Sequence, residues 1–98
     1  MELQQLEYFL TAAKFENFSL AAEHLNISQP ALSKTISLLE SEVNARLFDR
    51  IGRKIYLNEQ GRLLCKYAER ALQELDTGLR SVKNFHKEPT GLIRIGLF

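Results

Sequence analysis

From Asn58 onward, Leu64, Ala68, Ala71, Leu75, Val82 and Phe85 recur at spacings of 4, 3, 4, 7 and 3, with Gly78 at the one missing heptad position. A repeat carried past residue 80 commits more than a quarter of the 98-residue chain to one helix. At 1.5 Å per residue, a helix of about 27 residues is roughly 40 Å long, more than a core built from the remaining residues can cover. The stripe therefore requires a partner, and a heptad face of this length favours a second copy of the same chain. Its seam is expected to hold Leu64, Ala68, Ala71, Leu75, Leu79 and Val82. Glu88-Pro89-Thr90-Gly91 should stop the helix, because proline disfavours helix at the preceding residue. The chain then divides into a domain over 1–58, a linker and dimerisation helix over 59–86, a hinge over 87–91, and an apolar strand over 92–98 expected to begin a further domain.

The 58-residue domain starts with an amphipathic helix, since Leu3, Leu6, Phe9, Leu10 and Ala13 fall on one face at three- and four-residue steps. It should end near Glu16-Asn17, where Asn17 or Ser19 can cap a two-turn helix carrying Phe18, Ala21, Ala22 and Leu25. Asn26-Ile27-Ser28 follows as a three-residue connection. Ser28 or Gln29 can cap the next helix, and Pro30 sits in its first turn, where a missing N–H is harmless. These residues predict a helix, a tight turn and a second helix.

In the third helix, Leu32, Ile36, Leu39 and Val43 form a narrow apolar stripe, while Pro30, Ser33, Lys34, Ser37 and Ser41 gather on the far side. An ordinary solvent-facing helix favours Lys, Glu, Gln and Arg, whereas serine competes for its own backbone and costs helicity. A tolerated surface is one account of three serines on one face. The other is that the second helix of a helix-turn-helix projects this face into a DNA major groove. Small side chains there allow close approach, serine hydroxyls reach phosphate or base edges, and glutamine pairs with adenine.

After Val43 the period changes. Leu47-Phe48 and Ile55-Tyr56-Leu57 flank a turn at Ile51-Gly52-Arg53, which predicts a short hairpin with a basic tip. Charge is divided accordingly: residues 1–27 carry net −3 and residues 45–62 net +3 within a chain of net +1. A local basic cluster in a near-neutral chain points to phosphate. A solvated hairpin with Arg50 paired to Asp49 or Glu42 is the plainer alternative.

The stretch "FSLAAEHLNISQPALSKTISLLESEVNARLFDRIGRKIYLNEQG" resembles the DNA-binding domain of LysR-type transcriptional regulators. Ser-Gln-Pro-Ala-Leu-Ser followed by Leu-Phe-x-Arg and Leu-x-x-x-Gly carries the likeness, which runs from Leu3 to the strand at Ile93. The resemblance implies a mainly α winged helix-turn-helix with a long dimerisation helix. It implies a homodimer on a dyad site of double-stranded DNA, with a tetramer open for the full-length protein and a small-molecule inducer bound only by a C-terminal domain. Gln29 and Pro30 would touch base edges, Ser33 and Lys34 phosphate or bases, Arg50 would support the backbone contact, and Arg53 would enter a minor groove. Ser28, Ser37 and Lys54 complete the candidate set. The chain departs from the family pattern at Glu16-Asn17, in place of Gly-Ser, at Lys34 in place of arginine, at Ser37-Leu38 and at Lys54. Lysine lacks the two-pronged geometry of arginine, so Lys34 is expected to attract phosphate rather than read a base.

Other classes find less support. Cys65 is the single cysteine, and His24 and His86 have no neighbours at metal-ligand spacing. No nucleophile, base and orienting group assemble, so neither an enzyme nor a cofactor is expected. The N-terminus lacks the basic and apolar regions of a signal peptide, and no run reaches membrane-spanning length, which predicts a cytoplasmic protein. The rival reading is a protein-interaction module that offers its third helix to a protein groove, for which Ser33, Ser37 and Ser41 are poor anchors.

Overall fold

The computed structural model describes residues 1–85. The expectations for a hinge over 87–91 and a strand over 92–98 lie outside the described residues. Helices α1 (Leu3–Phe15), α2 (Phe18–Leu25) and α3 (Gln29–Val43) precede a hairpin of β1 (Phe48–Ile51) and β2 (Lys54–Leu57), and α4 (Glu59–Asn84) follows. This is the mainly α winged helix-turn-helix the sequence predicted.

Local chemistry sets the boundaries. The Leu20 N–H donates to Asn17 Oδ1 at 2.9 Å, so Asn17 rather than Ser19 caps α2. Ser28 Oγ accepts from the Ala31 N–H at 3.2 Å, with Pro30 in the first turn of α3. Left-handed residues Glu16, Asn26 and Asn44 close the three helices at φ 47, 59 and 55. Asparagine tolerates that conformation; a glutamate there costs about 1–2 kcal/mol. The Glu16 side chain is engaged far along the chain, because Oε2 accepts the Leu57 N–H at 2.8 Å and ties the α1–α2 turn to the end of β2.

The strands are antiparallel, with Phe48 opposite Leu57 and Ile51 opposite Lys54. The turn is therefore Gly52-Arg53, one residue shorter than predicted: Ile51 belongs to the ladder, and Gly52 alone takes the positive φ of 64 that a two-residue hairpin demands. Lys54 is likewise a strand residue.

Phe9, Ala12, Ala21, Leu32, Ile36 and Leu39 are fully enclosed at the meeting of α1, α2 and α3. Phe48 brings the wing into this core, its ring edge-on to Phe9 at 5.7 Å and to Phe18 at 5.6 Å. Helix α4 starts on the same scaffold. Asn58 Oδ1 accepts the Gly61 N–H at 2.7 Å, while Asn58 Nδ2 donates to the Arg46 carbonyl at 2.8 Å. Gly61 has no alternative, since a Cβ there would run into the Leu47 carbonyl oxygen and stand 2.5 Å from Leu57 Cδ1.

Within the subunit, the near end of the expected dimer seam is already partly covered. Ala68 is 3% exposed and Leu64 is half-buried against the domain core. Ala68 is covered and Leu64 partly covered within the subunit, where α4 packs against α1. Beyond them the stripe emerges: Ala71 is exposed, and Leu75, Leu79 and Val82 are 41%, 56% and 71% exposed. Heptad spacing marks an apolar face, not where the subunit's own core stops covering it.

Candidate nucleic-acid interface

The buried stripe of Leu32, Ile36 and Leu39 fixes the rotation of α3. With those three at the core, Ser28, Gln29, Pro30, Lys34, Ser37 and Ser41 are exposed on the other side, and Ser33 is half-buried. The helix is thus anchored by branched aliphatics behind and presents short polar side chains in front. Its N-terminal N–H groups add a positive dipole end to the same surface.

The wing supplies charge beside it. Arg50, Arg53 and Lys54 are exposed, and among the described residues neither they nor Lys34 form an ion pair. The alternative pairing of Arg50 with Asp49 or Glu42 is not what the structure shows. Glu42 pairs with the Met1 amine at 3.0 Å, and the Arg50 guanidinium lies 5.3 Å from the centroid of the Phe18 ring. Stacking on an aromatic face orients the guanidinium without neutralising it.

Two concave surfaces result. One, about 420 Å³, runs between the start of α3 and the wing and brings together Ser19, Gln29, Arg50, Arg53 and Lys54. The other, about 490 Å³, lies towards the far end of α3 and includes Ser37, Ser41, Arg46 and Arg50. Arg50 lines both. Arg46 is less available as a cation, because its Nε lies 3.8 Å from Glu40 Oε2, which also accepts the Leu47 N–H at 2.8 Å.

Sequence reasoning missed two contacts that shape this surface. Ser19, considered only as a cap, donates its hydroxyl to Gln29 Oε1 at 2.8 Å. Glu16 holds the base of the wing through Leu57. Neither has a local signal; each depends on residues brought together by the tertiary fold. Cys65 is half-buried on α4, and burial, with Glu69 nearby, pushes its thiol from 9.0 up to about 11, which makes it a packing residue rather than a nucleophile.

An anchored helix with an open polar face, an adjoining basic hairpin and a projecting helical arm define a winged helix-turn-helix regulator. Residues 3–62 match the family model "Bacterial regulatory helix-turn-helix protein, lysR family", and the chain belongs to that family. It is 38% identical over 96 residues to the HTH-type transcriptional regulator YybE of Bacillus subtilis (strain 168), covering 98% of this chain and 33% of YybE. It is also 42% identical over 79 residues to the regulator CitR of the same organism, covering 81% of this chain and 27% of CitR. The chain thus spans about a third or less of these two relatives' length. Among solved structures it superposes on the BenM DNA-binding domain complexed with catB site 1 DNA, with a TM-score of 0.84 and 32% identity, covering 89% of this chain and 94% of that one. Among the described residues no helix is long and apolar enough to cross a membrane.

Proposed function

We propose that the chain is the operator-reading module of a cytoplasmic, inducer-responsive transcription regulator, acting by binding rather than by catalysis. Helix α3 enters the major groove with Ser28, Gln29 and Pro30 leading, Ser33 and Ser37 behind them, and Lys34 attracting phosphate. Arg50 steadies the adjacent backbone, while Arg53 and Lys54 carry the wing to a minor groove. The exposed part of the α4 stripe, Ala71, Leu75, Leu79 and Val82, pairs with a second copy, so that two reading helices address a dyad. In the full-length protein a C-terminal domain binds the inducer.

The observation that carries this reading is the groove in which Gln29 meets Arg50, Arg53 and Lys54, none of them in an ion pair; Glu16, which also lines it, has its carboxylate engaged by the Leu57 N–H. Surface cations left unpaired beside an open helix N-terminus suit a polyanion; Leu38, 49% exposed, is the one exposed large apolar side chain on α3 among the described residues, fewer anchors than a protein-binding groove needs. The DNA-bound state of the BenM domain also favours duplex DNA over the interaction-only alternative.

Mobility shifts on duplexes selected from a random pool, repeated across salt concentrations, test the proposal. Selected sites should show two-fold symmetry, and Arg53→Ala should reduce the salt slope by about 1 while leaving sequence preference intact. Binding that ignores salt and shows no sequence preference would overturn it.

A further inference from the structure

We propose that Ser19, on α2, decides which bases Gln29 accepts. The inference rests on the base-reading role assigned above to Gln29. The Ser19 hydroxyl donates to Gln29 Oε1 at 2.8 Å, and both residues are exposed on the groove they share with Arg50 and Arg53. An unconstrained glutamine offers an acceptor and a donor side by side, the pattern that matches the N6 amine and N7 of adenine. Here the amide oxygen is turned towards α2 with one lone pair engaged, so the Nε2 end, with its two donors, leads towards a base and the acceptor is drawn back from it.

A tip that leads with its donors suits the O6 and N7 acceptors of guanine, weakens the two-point match to adenine and opposes the N4 amine of cytosine. Ser19 therefore acts as a positioning residue. It need not touch DNA, and it restricts the long Gln29 side chain before binding, which lowers the ordering cost on contact. The serine has no second task in the fold that would explain the bond: Asn17, not Ser19, caps α2.

The test is selection from a random duplex pool with the full chain and its Ser19→Ala, Ser19→Thr, Gln29→Ala and doubly substituted forms. The expected result is guanine at one position per half-site, moved towards adenine by about tenfold in Ser19→Ala. Ser19→Thr keeps the hydroxyl and should keep guanine, and Ser19→Ala should add nothing in the Gln29→Ala background. If Ser19→Ala weakens all duplexes alike without changing any preference, or acts equally with Gln29 absent, Ser19 is a phosphate contact and the inference is overturned. If Gln29→Ala itself changes no preference, the base-reading role fails first, a result obtained without touching Ser19, and the inference falls with it.

Discussion

The two halves of α4 carry one apolar stripe and put it to opposite uses. Near the wing, Gly61 and Ala68 are buried and Leu64 is half-buried against the subunit's own core; past Ala71, Leu75, Leu79 and Val82 stand in solvent. The helix is one uninterrupted element from Glu59 to Asn84. What differs is the covering layer: the domain core packs on Leu64 and Cys65 and leaves Leu75, Leu79 and Val82 bare. Periodicity reports which side of a helix is apolar; coverage is a property of the fold around it.

Substitutions along α4 should separate the two halves, and the largest effect is expected at the start. Gly61→Ala forces a methyl group against the Leu47 carbonyl and should destabilise the domain by about 3 kcal/mol, read from urea unfolding. In the outer half, Leu79→Lys should weaken self-association by about 2 kcal/mol, roughly thirtyfold, in sedimentation equilibrium. The free energy of unfolding at high dilution should then change by less than about 0.5 kcal/mol. Loss of subunit stability in Leu79→Lys would erase the contrast between the halves.

Asn58→Ala removes a helix cap and a bond to the Arg46 carbonyl, which should cost about 1 kcal/mol in thermal unfolding. The smallest effect concerns Cys65. Its thiol is raised in the folded chain, from 9.0 to about 11, so the folded state holds the proton more tightly. The resulting contribution is complete below pH 9 and is lost as pH rises through 11. Unfolding followed across that window should show a slight decline that Cys65→Ala lacks, and alkylation of Cys65 should stay slow at pH 8.

Helices α1 to α3 were legible because their signals are local: apolar steps of three and four, Asn17 and Ser28 at caps, Pro30 in a first turn. The open face of α3 was legible for the same reason, as the complement of Leu32, Ile36 and Leu39. The end of the hairpin was misplaced by one residue, since Ile51 looks like turn or strand until its partner Lys54 is known. The contacts of Glu16 with Leu57 and of Ser19 with Gln29 join residues 41 and 10 positions apart, and neither follows any helical or strand period. Glu16 occupies a left-handed position more often given to glycine; its bond to the wing explains how a glutamate serves there.

The aromatic seating of Phe48 between Phe9 and Phe18 has a mechanical corollary. Phe48 roots the hairpin against α1 and α2, on which α3 also packs, so on the proposed reading the reading helix and the basic tip share one scaffold and their separation is held near one value. A mismatch with a DNA site would then fall largely to the nucleic acid, and the proposal predicts that duplexes with soft pyrimidine–purine steps between helix and wing gain an advantage unrelated to the bases touched.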